Sequence, residues 1–336
     1  MKCVKLALIG YGNVGKAFAK MLQRRRGYIE EQFGSRVEIT AICTRRLGAL
    51  TEPSGIDTEK LEAGLFERNV SALSVIDEAD YDIMVELTPI NIVTGMPAID
   101  YIKHAMNRGK HVITANKGPI AWAYRDLNVL AAENHVLFCH EATVMDGVPI
   151  FNLAKETLKA CKITEVKGIL NATTNYVLDQ MEKGVSYDEA VKEGQRRGFV
   201  EADPTMDLEG WDAAAKLTAL MNVLMDVRIT PTEIKRKGIG EITKEQLEEA
   251  ANNGQKIKLV CHGWLEDGTP VGTVSPRAVD RDDLLASING TAAAVTINTD
   301  LMGEVSIIEH VYEPEIDQTA YGVLSDLLRI LTADDL

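Results

Sequence analysis

Acidic residues and one lysine are concentrated in EADPTMDLEGWDAAAKL, which spans residues 201–217. The charged residues of this stretch are Glu201, Asp203, Asp207, Glu209, Asp212 and Lys216. Asp212 and Lys216 are four positions apart, so in a helix they would share one face. Acids beside an ammonium group could form a polar pocket for a small zwitterion. On spacing alone, however, a solvated charged stripe is the better interpretation.

A glycine-rich turn, GYGNVG at residues 10–15, follows the first apolar run of the chain. Between a strand and a helix, this spacing is typical of dinucleotide binding, because the glycines allow a tight turn and a close approach of the pyrophosphate. The N–H groups at the start of the helix can then bind phosphate. We therefore predict coenzyme contacts from the residues of this turn, which are Gly10, Gly12, Asn13, Val14 and Gly15.

The end of the second predicted strand bears on the choice of coenzyme. In such folds an acid at this place favours the ribose 2′-hydroxyl, whereas an arginine accommodates a 2′-phosphate. The chain has Thr44, Arg45 and Arg46 here and no acid. We predict that it uses NADP in preference to NAD, unless the arginines are merely surface residues.

Two later strand ends carry further candidates. Thr88 and Pro89 follow one predicted strand, and Asn116 and Lys117 follow the next. Doubly wound sheets bind ligands at the carboxyl ends of their strands, so all four are predicted cofactor contacts. Lys117 could also transfer a proton beside the nicotinamide, although a lysine at a strand end can equally be a solvated surface residue.

Elements that could position these residues alternate over the first 140 residues. Apolar runs predict strands at 4–10, 37–43, 82–88, 111–116 and 135–140, and amphipathic patterns predict helices at 14–26, 98–108 and 124–134. This alternation is typical of an α/β domain with a doubly wound parallel sheet of the Rossmann type.

The pattern changes beyond residue 140. We predict helices at 176–183, 187–197 and 213–225 and strands at 162–170, 256–265, 268–279 and 291–300, with an amphipathic helix at 318–331. The chain is thus expected to have a dinucleotide-binding domain (1–140), an α+β domain for the substrate and dimerisation (141–310), and a C-terminal helix (311–336) that returns to the first domain.

Composition excludes several classes of protein. The 336 residues are 46% hydrophobic, enough for two cores, and 36 basic against 50 acidic residues give a net charge of −14. Such a charge argues against a nucleic-acid partner. Apolar runs shorter than the roughly 18 residues of a membrane span argue against membrane insertion, so we expect a cytoplasmic protein. The five cysteines are scattered and predict core thiols.

Several motifs, in order, resemble homoserine dehydrogenase over nearly the whole chain. They are GYGNVG (10–15), ANKG (115–118), EATVMDGVP (141–149), GILNATTNYV (168–177) and GFVEADPTMDLEGWDAAAKL (198–217). The resemblance implies NAD(P)-dependent interconversion of aspartate semialdehyde and homoserine, in the biosynthesis of threonine and methionine. It also favours a substrate pocket over a solvated stripe at residues 201–217.

Roles for single residues follow from the same resemblance. Glu201 and Asp212 match acids at the substrate amino group, with Asp207 nearby, and Thr173 matches a contact in the substrate loop. Lys117 and Lys216 match two lysines that transfer the proton and polarise the reacting oxygen. We expect both lysines to be needed, and which of them gives the proton stays open.

The segment EATVMDGVP resembles a loop whose backbone carbonyls hold a sodium or potassium ion in the family. The corresponding residues are Glu141, Val144, Asp146 and Val148. The chain departs from the family's small residues at Met145 and at Asp146, which puts the ion site in question.

A second departure lies before the last helix, where the family has a glycine-rich turn. This chain has Glu313, Pro314, Glu315 and Asp317 there. The change motivates an alternative, a related NAD(P)-dependent oxidoreductase for another amino-acid aldehyde or keto acid. A catalytically silent NADP-binding protein is a lesser alternative, because it would not need Lys117 or Lys216.

Two expectations concern assembly and regulation. Family members often continue into a regulatory domain or are fused to a kinase, and this sequence ends at Leu336, so we expect no feedback inhibition by threonine. The resemblance also implies a homodimer that forms through the sheet of the second domain.

Overall fold

A computed structural model describes residues 1–311 and 316–333 of the chain. The chain divides into two compact units, one comprising Met1–Asn152 together with the C-terminal helix and the other Leu153–Val311. Among the helices of these described residues, none is both long enough and apolar enough to span a bilayer.

The first unit is built on a six-stranded sheet. Its strands are β1 (Lys2–Ile9), β2 (Ser35–Thr44), β3 (Gly48–Thr51), β4 (Ile83–Glu86), β5 (His111–Thr114) and β6 (Phe138–Cys139). They lie in the order β3-β2-β1-β4-β5-β6, and all neighbours are parallel except the β2–β3 hairpin. The order reverses between β1 and β4, which is where doubly wound sheets bind ligands. The predicted Rossmann-type sheet is confirmed.

Four helices accompany this sheet: α1 (Asn13–Phe33), α2 (Ala72–Glu78), α3 (Ala98–Asn107) and α4 (Lys117–Glu133). Helix α4 begins at Lys117, so the predicted start at residue 124 was wrong. The reason is that the Asn116 side chain caps the first turn by accepting from the Gly118 N–H. Pro119 is tolerated because first-turn N–H groups have no partner within a helix.

The second unit contains a mixed sheet. Its strands are β7 (Ile163–Ile169), β8 (Lys235–Arg236), β9 (Gln255–Glu266), β10 (Thr269–Asp280), β11 (Ala293–Thr299) and β12 (Gly303–Glu309). The order is β12-β11-β7-β9-β10-β8, with only β8 and β10 paired in parallel among the described strands. This agrees with the α+β domain that the sequence predicts.

The helices of this part of the chain are α5 (Phe151–Thr157), α6 (Ala172–Glu182), α7 (Tyr187–Arg197), α8 (Thr205–Leu208), α9 (Trp211–Leu224) and α10 (Lys244–Asn252). Helix α9 lies very close to β9, since a Cβ atom on Gly263 would be 2.5 Å from the sulfur of Met221. The buried face of α9 thereby anchors Asp212 and Lys216, which lie on this helix.

The last helix, α11 (Ile316–Leu331), belongs to the first unit. Its residues Val323 and Leu327 are fully buried in one core cluster with Phe18 of α1 and Ile113 of β5. The amphipathic pattern of residues 318–331 therefore corresponds to a helix with a packed apolar face.

Candidate active site

The glycine turn after β1 has the geometry that a dinucleotide needs. Gly10 has a φ of +102°, and a Cβ atom there would lie 2.5 Å from the carbonyl oxygen of Leu87 at the end of β4. Gly12 precedes α1 without a side-chain cap, and a Cβ atom on it would meet nothing within 4 Å. The first N–H groups of α1, at Asn13, Val14 and Gly15, have no acceptor within the helix. These residues fit a bound pyrophosphate.

A buried carboxylate, Glu86, organises the strand ends beside this turn. It is 0% exposed, and it accepts hydrogen bonds from the hydroxyl and the N–H of Thr88 and from the Thr114 hydroxyl. Burial raises the pKa of Glu86. The amide of Asn116 donates to the Thr88 carbonyl at 3.2 Å. Thr88 and Asn116, both predicted as cofactor contacts, are thus held together by an acid that the sequence analysis missed.

The other predicted cofactor residues lie around the same sheet. Lys117 is half-buried as the first residue of α4, and Pro89 is exposed beyond β4. Arg45 and Arg46 are exposed in the β2–β3 turn, where the Thr44 hydroxyl accepts from the Leu47 N–H at 3.0 Å. An acid within the apolar run IMVELT was the sequence signal that could have identified Glu86.

The second unit brings two of the predicted acids together with Lys216. Asp212 and Lys216 are 16% and 20% exposed and form an ion pair at 3.5 Å. Asp207 lies beside them, and the amide of Asn171 donates to both Asp207, at 2.7 Å, and Asp212, at 3.0 Å. The pair is therefore partly buried, and the solvated stripe favoured by spacing alone was the wrong interpretation.

Electrostatics in this cluster favour the binding of a cation. Burial raises the pKa of Asp207, and the nearby Asp212 carboxylate raises it further, while Asn171 and Lys216 lower it. Two carboxylates beside one ammonium leave the cluster with a net negative charge. A substrate ammonium would compensate this charge. Asn171 is a further residue that the sequence analysis did not single out, although it lies within the quoted motif GILNATTNYV.

Thr173 and Glu201 differ in how they relate to this cluster. The Thr173 hydroxyl donates to Asp207 at 3.1 Å, and the side chain is buried. Glu201 is exposed, and its backbone carbonyl accepts from the Gln195 side chain at 3.1 Å. Within the described part of the chain, the structure unites Thr173 with Asp207, Asp212 and Lys216 but does not show Glu201 hydrogen-bonded to them.

The loop predicted to hold an ion is closely tied to its surroundings. The buried Glu141 carboxylate accepts from the N–H groups of Ile150, Phe151 and Asn152, each at 2.7 Å. The carbonyl of Val148 already accepts from the Ile150 N–H at 2.9 Å. Asp146 has a φ of +44° and accepts from the Thr319 hydroxyl of α11 at 2.7 Å.

Side chains alone do not form a metal site in the described part of the chain. Within residues 1–311 and 316–333, no cluster of three or more His, Cys, Asp or Glu side chains could hold a metal ion. Of the divergent residues before the last helix, Glu313, Pro314 and Glu315 lie outside the described residues, and Asp317 lies in the first turn of α11.

Known proteins match the chain from the glycine turn to the last helix. A family model described as homoserine dehydrogenase matches residues 149–328, and one described as the NAD binding domain of homoserine dehydrogenase matches residues 10–141. The homoserine dehydrogenase of Methanocaldococcus jannaschii is 39% identical over 337 residues, which cover 97% of this chain and 98% of that protein. A protein of Pseudomonas canavaninivorans named NAD(+)-dependent homoserine dehydrogenase is 36% identical, with 97% and 96% of the two chains covered.

Solved structures give the same result. The crystal structure of a homoserine dehydrogenase from Thiobacillus denitrificans matches with a TM-score of 0.84 at 30% identity and covers 98% of this chain and 74% of that one. The homoserine dehydrogenase of S. aureus matches with a TM-score of 0.82, also at 30% identity, and covers 100% of this chain and 78% of that one.

Proposed function

The chain belongs to the homoserine dehydrogenase family, and from this membership we propose how its own residues interconvert aspartate semialdehyde and homoserine. The observation that carries the proposal is the partly buried, net negative cluster of Asp207, Asp212 and Lys216. An amino-acid substrate brings an ammonium group, a carboxylate and a reacting oxygen. The cluster offers acids for the first and a proton donor for the last.

Asp207 and Asp212 bind the substrate ammonium. Both are partly shielded from water, so their attraction for a cation is stronger than that of exposed acids. Thr173 keeps Asp207 in place through its hydroxyl. Glu201 is proposed as a third acid for the same group, on the resemblance to the family.

Lys216 and Lys117 act on the reacting oxygen. When bound, the nicotinamide coenzyme supplies the hydride for reduction of the aldehyde. Negative charge then develops on the aldehyde oxygen, and a lysine ammonium stabilises it and gives it a proton. The position of the Lys216 ammonium is fixed, since its Nζ donates to the Leu170 carbonyl at 2.9 Å and pairs with Asp212.

The coenzyme is held by the residues of the glycine turn and by Thr44, Thr88, Pro89, Asn116 and Lys117. We propose NADP as the preferred form, supported by Arg45 and Arg46, which are exposed in the β2–β3 turn. One relative is named as NAD(+)-dependent, so the preference needs a direct comparison of both coenzymes.

Three further proposals rest on the family resemblance. A sodium or potassium ion binds to backbone carbonyls of Glu141, Val144, Asp146 and Val148, although the Val148 carbonyl already accepts one hydrogen bond. The enzyme is a homodimer. It works in the cytoplasm, with the amino-acid biosynthesis that the family serves.

A comparison of substrates tests the role of the acids. We expect turnover of homoserine by the wild type and turnover lower by roughly a hundredfold or more for the analogue that lacks the amino group, because that analogue leaves both acids without a cation. The measurement is coenzyme reduction followed by its absorbance, with coenzyme and pH fixed. Equal turnover of homoserine and of the analogue without the amino group would contradict the proposed ammonium site.

A further inference from the structure

Asn171 caps helix α6 and also contacts the charged cluster, which a helix cap does not need to do. It is 4% exposed at the junction of β7 and α6, and its Oδ1 accepts from the N–H and the hydroxyl of Thr174, both at 2.9 Å. Its Nδ2 faces the other way and donates to Asp207 Oδ1 at 2.7 Å and Asp212 Oδ2 at 3.0 Å. One amide group therefore uses its acceptor for the helix and both its donors for the acids.

The Asn171 amide bridges the two acids by donating to both, and this arrangement suits a site for a cation. Two carboxylates held close together repel each other, and each raises the pKa of the other. The Asn171 amide lowers the pKa of Asp207 against burial and against the Asp212 charge. Because the amide is neutral, it favours the ionised acids without cancelling their charge. A lysine or arginine in its place would compete with the substrate ammonium.

Neighbouring residues of the same turn contact the rest of the cluster. The Leu170 carbonyl accepts from Lys216 Nζ at 2.9 Å, and the Thr173 hydroxyl donates to Asp207 at 3.1 Å. Residues 170–173 thus contact the proton-carrying lysine as well as both acids. The cap at Thr174 joins this turn to the start of α6, so the acids are positioned against a fixed backbone.

We propose that Asn171 is a positioning residue that holds the Asp207 and Asp212 carboxylates at the spacing the substrate ammonium needs, an inference that rests on the proposed function. It acts through the two acids rather than on the reacting atoms. Its loss should therefore weaken homoserine binding and alter the pH dependence of the enzyme, beyond any effect on folding.

The decisive variant is Asn171→Ser. Serine is also a good cap for Thr174 and keeps the start of α6, but it lacks the two N–H donors. We expect the KM for homoserine to rise roughly tenfold to a hundredfold, with the KM for coenzyme unchanged, because hydrogen bonds to charged groups are lost. The acidic limb of kcat/KM should move to higher pH, since the Asn171 hydrogen bond that lowers the pKa of Asp207 is lost.

Asn175→Ser is the matched control. Asn175 is also buried in α6, four residues further on, but its amide donates to the carbonyls of Ile288 and Gly290 and not to the acids. The control should lower the melting temperature without moving the pH profile. If Asn171→Ser behaves like this control, with homoserine KM and the acidic limb unchanged, Asn171 is only a structural cap and the proposal is overturned.

A titration without substrate separates this proposal from the proposed function. Isotope-labelled aspartate carboxyls, assigned with Asp207→Asn, report the pKa of Asp207 by NMR in the wild type and in Asn171→Ser. A higher Asp207 pKa in the variant supports the bridge, and an unchanged one overturns it. Absence of homoserine turnover by the wild type would instead contradict the proposed function, whatever this titration shows.

Discussion

Asp207 is the single residue from which we expect the pH dependence of substrate binding to arise. Burial and the neighbouring Asp212 raise its pKa, yet it must be ionised to bind an ammonium group. At low pH the site therefore holds a protonated, neutral carboxyl. Activity toward homoserine should rise as the pH increases through the pKa of this group.

Replacement of Asp207 by Asn tests this relation. We expect kcat/KM for homoserine to fall by roughly tenfold or more and the acidic limb to weaken, because a charged hydrogen-bond acceptor is lost. Asp203→Asn is the control, since it makes the same change at an exposed acid of the same stretch. Similar pH profiles for the two variants would contradict the role of Asp207.

We also expect single side chains to determine the choice between NADP and NAD. The exposed Arg45 and Arg46 can pair with a ribose 2′-phosphate, so Arg45→Ala with Arg46→Ala should lower the preference for NADP over NAD by roughly tenfold. The measurement is kcat/KM for both coenzymes. Arg24→Ala, an exposed arginine of α1, is the control, and an unchanged preference in the double variant would contradict the prediction.

Among the elements, the β1–α1 turn depends on a backbone that only glycine adopts easily. Gly10→Ala would place a Cβ atom 2.5 Å from the Leu87 carbonyl at a φ of +102°. We expect it to lower the free energy of unfolding by about 1–3 kcal/mol and to weaken coenzyme binding. Denaturant titration and coenzyme titration measure the two effects.

Gly27→Ala is a control that should change the free energy of unfolding in the opposite direction. Gly27 lies inside α1, and a Cβ atom there meets nothing within 4 Å. Alanine should raise the free energy of unfolding by about 0.5–1 kcal/mol, since glycine is the poorer helix former. Equal effects of the two substitutions would show that the geometry at Gly10 is unimportant.

Helix α11 is joined to residues 141–152 by a buried acid. Asp326 is 0% exposed and accepts from the Glu141 N–H at 2.8 Å, and burial raises the pKa of Asp326 to about 7. In the folded protein Asp326 thus keeps a proton that it releases at about pH 4 in the unfolded chain. The stability that this bound proton contributes to the folded state is complete below about pH 4 and is lost as the pH rises through about 7.

Asp326→Asn resembles the protonated form at every pH. The wild type should therefore lose melting temperature relative to the variant as the pH increases from about 4 to about 8. Thermal unfolding of both proteins across this range measures the difference. A constant difference in melting temperature between the two proteins at all pH values would contradict the raised pKa of Asp326.

Local sequence patterns predicted most elements, and the errors have physical causes. The start of α4 was missed because the Asn116 cap and the first-turn Pro119 indicate a helix only when they are considered together. The strand predicted at 135–140 is reduced to Phe138–Cys139, and His135 has a φ of +54°, outside the extended region. Strand β12 was missed, because an edge strand with several exposed residues lacks a strong apolar pattern.

Across the whole molecule, the alternation of strands and helices predicted the α/β fold and the order of the motifs predicted the family, but spacing could not predict the contacts of the site. Asn171 reaches Asp207 and Asp212 over 36 and 41 residues, and Thr114 reaches Glu86 over 28. Such contacts arise only when strands pair and helices pack. The sequence could therefore mark Glu86 as an unusual acid in an apolar run, but it could not predict the partners of Glu86 or of Asn171.

Assembly is a property of the whole molecule that solution measurements decide. We expect the purified protein to have twice the mass of one chain by light scattering, over a range of concentrations, as the family resemblance implies. A mass of one chain at all concentrations with full activity would contradict the homodimer.

We propose that the chain interconverts homoserine and aspartate semialdehyde with Lys216 as an essential residue. The most direct test is coenzyme absorbance with each substrate and each coenzyme, for the wild type, Lys216→Ala, Lys117→Ala and, as a control, the exposed Lys192→Ala. We predict turnover by the wild type and the control and a loss of roughly a hundredfold or more in each of the other variants. Coenzyme binding without turnover in the wild type would contradict the proposed reaction, and Lys216→Ala as active as Lys192→Ala would contradict the role of Lys216.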